Sequence, residues 1–335
     1  MKKYILLLLF SFIVNYSFSQ WSKWKRMRYE VSFGIGTSSF MGDLGGGQNS
    51  DSFLDDYFGD FDFGSTRPSF YLGGRYKLSP LFSAKLNLAL GWVSGNDEWS
   101  NDINRQNRNL NFNSVIFEQS LVGEFNIIKE NEQKRWSKIR NKRVRGYSFN
   151  LYVFAGIGGF YFNPRGYVVD DYTNKTYYSL YDVGTEGQNI TQNHYNRYAL
   201  CIPGGLGIKF GLNRKWDFGI EYGMRYTFTD YIDDVGGAYY DNKAIIENYK
   251  DGNDVNVGYL ADNHYATETT KFTETDFAAG SIWEGYDKYY EVGDRKPYPS
   301  GTEFRSGKAK DIYMFLFLNF SYKLKTGRNG LPKFR

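Results

Sequence analysis

Cysteine is nearly absent from this sequence: Cys201 is the only one, so no intramolecular disulfide framework can staple the fold. A lone thiol of this kind is read as a small core residue. Histidine is almost as scarce, with His194 and His264 alone. No Gly-x-Ser-x-Gly elbow, His-Glu-x-x-His pair or phosphate-cradling glycine loop occurs, which leaves little room for hydrolytic or metal chemistry. Past the first twenty residues no apolar run approaches the roughly 20 residues that a spanning helix needs, and mean hydropathy is −0.55. A helical membrane protein is excluded. Proline is rare, at 7 residues, whereas glycine reaches 37.

Aromatics are abundant, with 30 Tyr and 28 Phe. Tyr, Phe and Gly among alternating polar residues suit a transmembrane β-barrel, whose signal per strand is weak. A soluble β-sandwich alternates too, so composition alone does not separate them. At the start, Lys2 and Lys3 precede an apolar run, 4–14, and Ser17 and Ser19 stand where a signal peptidase cuts. Residues 1–19 are expected to be a secretory signal peptide. No cysteine follows, so a lipoprotein anchor is not expected.

Alternation marks eight segments as strands. The first, 29–37, sets Tyr29, Val31, Phe33 and Ile35 against Glu30, Ser32 and Gly34. The second (69–79) and third (83–92) oppose Phe70, Leu72, Leu86, Leu88 and Leu90 to Tyr71, Arg75, Lys77, Lys85 and Asn87. In the fourth, 114–127, Val115, Phe117, Leu121 and Phe125 oppose Glu118, Ser120 and Glu124. The fifth, 148–162, is apolar on both faces, and its orientation stays open. The sixth (198–212), seventh (217–229) and eighth (311–324) put Leu200, Ile202, Leu206, Ile220, Tyr222, Leu316 and Leu318 on one face, with Cys201, Lys209, Asp217, Glu221 and Arg225 on the other.

An even strand number brings both termini to one side. That side has two tight turns, at 79–81 and 213–215, and a linker, 128–146, outside the strands. The other side has the long connections 42–67, 94–108, 163–196 and 230–310. Short periplasmic turns with long outer loops is the outer-membrane pattern, and a sandwich has no reason to sort its loops this way. The expectation is an all-β, eight-stranded antiparallel outer-membrane barrel over 29–324. A short segment, 20–28, precedes it and a tail, 325–335, follows it, both periplasmic. An eight-stranded interior is just filled by side chains, so the inward charges are expected to pair and close the lumen.

Candidate sites are few. A loop histidine with a nearby Asp could activate water, but solvent-exposed loop residues are the simpler reading of His194 and His264. Asp251, Asn253 and Asp254 open like a calcium loop. Asn256 then stands where that loop needs Gly, and Asp262 where it needs Glu, so a turn is expected. Asp230, Asp233 and Asp234 are read as rim carboxylates hydrogen-bonded to turn amides, with a bridging hard cation as the alternative. Asn189-Ile-Thr191 matches a glycosylation acceptor, which means little in a bacterial exported chain. No metal or other cofactor is expected. The linker is strongly basic at Lys134, Arg135, Lys138, Arg140, Lys142, Arg143 and Arg145, and Lys23, Lys25, Arg26 and Arg28 join it from the N-terminal segment. Such a face can steer an acidic protein partner or lie on anionic lipid headgroups; nucleic acid is not expected.

Several runs carry a family resemblance: Tyr29-Glu-Val-Ser-Phe-Gly-Ile-Gly-Thr-Ser-Ser-Phe-Met-Gly-Asp43-Leu44, Arg108-Asn-Leu-Asn-Phe112, Phe160-Tyr-Phe-Asn-Pro164 and Ile202-Pro-Gly-Gly-Leu-Gly-Ile-Lys-Phe210. The most specific is Glu221-Tyr-Gly-Met-Arg225-Tyr-Thr-Phe-Thr-Asp-Tyr-Ile-Asp-Asp-Val235, with its Thr227, Asp230, Tyr231, Asp233 and Asp234, followed by Tyr239. Together these resemble the PorG-like family of outer-membrane barrels. The resemblance implies a non-enzymatic component of type IX secretion or gliding machinery, bound to a periplasmic ring of a lipoprotein and its partner subunit. Relative to that family the 230–310 loop is extended. A general barrel that binds surface ligands or passes small solutes is the alternative, and an outer-membrane enzyme a third.

Overall fold

The structure, a computed structural model, describes residues 25, 27–44, 65–100, 103–128, 137–139, 142–144, 148–170, 174–213, 215–250, 252, 254–263, 281, 288, 290, 297, 310–327 and 330–333. The first nineteen residues lie outside this set. The strands, in chain order, are β1 (Tyr29–Met41), β2 (Arg67–Lys77), β3 (Phe82–Asn96), β4 (Asn111–Ile128), β5 (Ser137–Ile139), β6 (Lys142–Val144), β7 (Ser148–Asp170), β8 (Asn174–Ser179), β9 (Tyr198–Gly211), β10 (Trp216–Thr227), β11 (Ile312–Thr326) and β12 (Pro332–Lys333). One antiparallel sheet of 10 strands runs β1-β2-β3-β4-β7-β9-β10-β11, with β8 added to β7 and β12 to β11. Setting those two additions aside leaves eight strands. Pairing of β1 with β11 along its whole length, from Tyr29↔Leu324 to Met41↔Ile312, closes them into a ring. Closure leaves these eight strands no edge.

The tight turns form because side chains satisfy their amides. Ser79 Oγ accepts from the amides of Leu81 and Phe82, and Asn213 Oδ1 from those of Lys215 and Trp216. Where a linker was expected at 128–146, β5 and β6 pair as a small antiparallel hairpin. The expected tail likewise begins inside β11 and returns on it as β12.

The fifth segment's orientation, open in the sequence, is settled by its neighbour. Tyr152 and Phe154 point inward, opposite Gly207 and Gly205 of β9. A Cβ at Gly207 would lie 2.3 Å from the Tyr152 ring, and one at Gly205 2.8 Å from that of Phe154. Two rings occupy the space that two missing side chains leave. Ile157 faces out and is 71% exposed.

The barrel's exterior is apolar through its middle, where Val31, Phe33, Ile35, Leu72, Leu86, Leu121, Val153, Leu206 and Leu318 are all exposed. Aromatic pairs ring it at the end of the termini: Tyr29–Tyr76, Phe82–Phe125, Phe149–Phe210 and Trp216–Tyr322. Phe70–Trp92, Tyr161–Tyr198 and Tyr226–Phe228 mark the opposite end. An apolar band between two aromatic girdles is what a bilayer selects.

At that opposite end β7 runs on for 23 residues, beyond the roughly 9–11 needed to cross, and pairs there with β8. The long loops fold into a cap with helices α1 (Ile103–Arg108), α2 (Leu180–Val183), α3 (Gln188–Thr191), α4 (Asn242–Asn248) and α5 (Val255–Ala261). Asp241 and Asp254 cap α4 and α5 by accepting from Lys243 N and Asn256 N. Ile232, Val235, Ile245, Val257 and Leu260 join Leu180 and Val183 in a core continuous with Phe160, Phe162, Tyr313 and Phe315 of the barrel. The cap therefore roots in the barrel's mouth.

Filling the gap that houses Tyr152 should defeat closure. Gly207→Val is expected to cost at least the roughly 1–3 kcal/mol of an overpacked core, lowering the fraction that runs as a compact band without heating. Leu206→Val, one residue away on the lipid face, should fold normally; equal folding of both would refute the packing described.

Candidate functional site

The state of the lumen decides whether the barrel can conduct. At its foot Glu30 pairs with Arg75 at 2.9 Å, Lys77 at 2.8 Å and Lys209 at 2.6 Å, and Lys323 pairs with Asp217 at 2.6 Å. One layer up, Arg75 reaches Glu124 at 2.6 Å, while Lys85 lies 2.5 Å from Glu221 and 3.4 Å from Glu124. Tyr152 donates to Glu221 at 2.7 Å. Higher still, Arg225 pairs with Glu118 at 2.9 Å, and Tyr313 donates to the same carboxylate. Among these groups, Tyr71, Phe315, Phe317 and Phe160 pack as rings in the bore. Cys201 is buried among them, 3.6 Å from the Tyr313 hydroxyl. The inward charges named from the sequence all meet partners. Lys323, which that reading passed over, was findable: it shares the inward register of Asn319 and Ser321.

At the rim of the capped mouth, segments far apart in sequence converge. Asp233 Oδ2 accepts from Leu44 N at 3.2 Å and Oδ1 from Val235 N at 3.1 Å. Arg108 clamps Asp97 with two bonds, at 2.7 and 2.8 Å, and donates to the carbonyl of Asp43. Asp234 accepts from the hydroxyls of Tyr195 and Thr185, and the Tyr195 ring stacks on Tyr231 at 4.7 Å. Asp311 accepts from Ile232 N at 2.8 Å, and its carbonyl from Thr227 at 2.7 Å. Asp230 lies 3.5 Å from Lys310, and Tyr239 is buried. The structure thus ties Asp233 to the segment 42–44, Asp234 and Tyr231 to Thr185 and Tyr195, and Thr227 and Asp230 to Asp311 and Lys310. Asp233 follows the turn-amide reading. Sequence reasoning missed Asp97, Glu186, which accepts from the amides of Gly236 and Gly237, and Asp311, because nothing local marks them.

Burial, reinforced by nearby Asp43, pushes the Asp233 carboxyl well above its ordinary value. Burial and Asp233 do the same to Asp311, whose Oδ1 has no hydrogen-bond partner. No group of three or more His, Cys, Asp or Glu able to hold a metal ion occurs among the described residues.

At the opposite end, β5 and β6 carry Lys138, Lys142 and Arg143; Lys134, Arg135, Arg140 and Arg145 lie outside the described residues. The register sets Lys138 against Arg143. Of the other candidates, His194 lies beside Tyr181 at 5.3 Å, Asn189 donates to the carbonyls of Asp182 and Val183, and Asp254 is a helix cap. His264, Asp251 and Asn253 lie outside the described residues.

A closed ring of eight strands, apolar outside, charged and filled inside, defines a β-barrel of the outer-membrane class. The chain belongs to a family described as a domain of unknown function, DUF6089, whose profile matches residues 6–268. No curated protein matches it. Among solved structures it is similar to Ail, the attachment invasion locus protein of Yersinia pestis, at 8% identity over 89% of this chain and 98% of that one, with a TM-score of 0.31. Neisserial surface protein A is similar at 5% identity, 88% and 96% coverage and a TM-score of 0.32. For the N-terminal β-barrel domain of Pseudomonas aeruginosa OprF the values are 9%, 61%, 88% and 0.26. At such scores the class rests on the strand ring and its apolar exterior.

The raised carboxyls give the cap a pH dependence of definite sign. Their folded forms hold protons that the unfolded loops release, so cap stability is greatest at low pH and falls as pH rises from the ordinary carboxylate range toward the raised values. Proteolysis within 230–310 should be faster at about pH 8 than at about pH 5, and Asp233→Asn should remove most of the difference. Identical pH responses in the two proteins would refute it.

Proposed function

We propose that this protein is a non-enzymatic outer-membrane anchor of a type IX secretion or gliding machinery, docking a periplasmic ring through its basic end. The carrying observation is the hairpin at the end of the chain termini. Like charges directly opposed across two strands destabilise the pair, so the Lys138↔Arg143 register favours an occupant that supplies negative charge. Lys25 and Arg28 at the chain's entry and Lys325 and Lys333 at its exit lie at the same end. An acidic surface on the ring lipoprotein or its partner subunit is the proposed complement, with anionic lipid headgroups completing the surround. The PorG-like motifs support this reading, and it places both termini in the periplasm. The filled lumen supports an anchor over a solute channel. A second reading, a general barrel that binds a ligand at its outer surface, draws support from a polar cleft in the cap.

Two measurements test this. In planar bilayers the purified protein should show no stable conductance, because buried ion pairs and aromatic rings occupy the lumen; a steady ohmic channel would contradict the anchor. Reversing Arg140, Arg143 and Arg145 to Glu should leave the barrel inserted but cut recovery of ring subunits about tenfold or more. Exposed pairs contribute only about 0.2–1 kcal/mol each, so one reversal can be silent where three are not. Association should also weaken in high salt, as exposed charges are screened beyond a Debye length of about 8–10 Å. The control, Lys271→Glu with Lys288→Glu in the outer loop, should leave recovery unchanged. An inserted linker variant that copurifies normally and secretes cargo normally rules the docking out.

A further inference from the structure

The cap carries an open cleft of about 730 Å³, within the roughly 300–1,000 Å³ typical of small-ligand sites. It opens between the β7–β8 extension and the α4–α5 pair, beyond the aromatic girdle at Tyr161 and Tyr198. Its aromatic side is Tyr177, Tyr178 and Tyr249. Tyr249 is buried in the cap core, Tyr178 stands edge-on to it at 6.5 Å, and the Tyr178 hydroxyl accepts from Asn256. Those two rings are fixed. Tyr177, on the other face of β8, packs on Tyr167 at 5.7 Å and stays 57% exposed at the cleft's edge.

The polar side is four charged groups of balanced sign: Arg165 and Lys250 against Asp182 and Asp254. Lys250 holds a φ of +41° just past the C-cap of α4, where helices commonly end in the left-handed region. The following turn, closed by Gly252 N donating to Tyr249 O at 2.8 Å, keeps the Lys250 ammonium 4.8 Å from the Tyr249 ring centre. Contact with Tyr249, and then the charges of Asp182 and Asp254, raise the pKa of that ammonium, so cation and carboxylates address one space.

This inventory selects the ligand's chemistry. Two cations and two carboxylates leave no net charge to concentrate an ion, which argues against a phosphate, a sulfated chain or a metal. They do supply donors and acceptors side by side, next to aromatic faces that bind apolar C–H surface. A molecule that alternates hydroxyl groups around a ring with an apolar face matches both sides. We propose that the cleft is a saccharide-binding site, taking an uncharged stretch of oligosaccharide between Tyr177 and the Arg165–Lys250–Asp182–Asp254 set. Glycans outside the cell and the core sugars of lipopolysaccharide in the same membrane share that chemistry. The proposal stands independently of docking at the basic end.

The test uses the full-length protein in a detergent without a sugar headgroup. The probes are an array of neutral, sialylated and sulfated oligosaccharides and the core oligosaccharide released from lipopolysaccharide. The wild type should bind neutral array glycans, core oligosaccharide or both, and which of the two binds identifies the source. Tyr177→Ala and Asp182→Asn, both at exposed positions, should each weaken that binding about tenfold or more. Lys250→Gly should weaken it similarly while folding at least as well, since glycine adopts this φ freely. Binding restricted to sulfated or sialylated probes overturns the proposal. So does failure to bind any neutral probe or the core, and so does binding that all three substitutions leave unchanged.

Discussion

Glu30 sits at the foot of the lumen with three cations on its two oxygens, and the rest of the barrel depends on such neutralisation. Eight strands with apolar faces turned to lipid must put every other side chain inside. Those interior positions carry Arg75, Lys85, Glu118, Glu124, Glu221 and Arg225. Leaving any one of them unpaired in that dry space would cost about 3–5 kcal/mol. Several pairs link strands that are not neighbours: Arg75 on β2 reaches Glu124 on β4, and Lys85 on β3 crosses to Glu221 on β10. Cross-bore pairing fixes the register of the ring from within, as hydrogen bonding fixes it around the wall.

The cap follows a different logic. Its helices are short, and it holds together by seating a hydrophobic core on the aromatic top of the lumen and by satisfying rim amides with buried carboxylates. Arg108 penetrates the cluster, binding Asp97 and the Asp43 carbonyl. Asp233 and Asp311 are left close together and deeply buried, so proton uptake takes over part of the neutralisation that cations provide lower down.

Much of the barrel was legible in the sequence, because alternation with period two survives wherever one face meets lipid and the other meets charge. Seven of the segments declared their orientation in that way. The fifth did not, since Tyr152 and Phe154 are as apolar as Val153 and Ile157. The deciding signal lay some fifty residues on, in the glycines of β9. The hairpin β5–β6 spans three residues per strand, too few for a period to register. Rim contacts such as Leu44 with Asp233 join positions 189 residues apart, which no local pattern encodes; only the family motifs hinted that these segments belong together. The cleft was invisible for the same reason, its walls coming from a strand extension and two helices of 7 residues.

Fold alone does not assign function; the groups grafted on it do. Here the graft is divided between two ends that have little in common. One end carries basic residues on a small hairpin whose register sets Lys138 opposite Arg143. The other gathers carboxylates and tyrosines under a hydrophobic lid and balances its charges locally. Between them stands a barrel whose cross-bore ion pairs would have to break several at once for any strand to slip. The ring is thus held in register from inside the bore as well as around the wall.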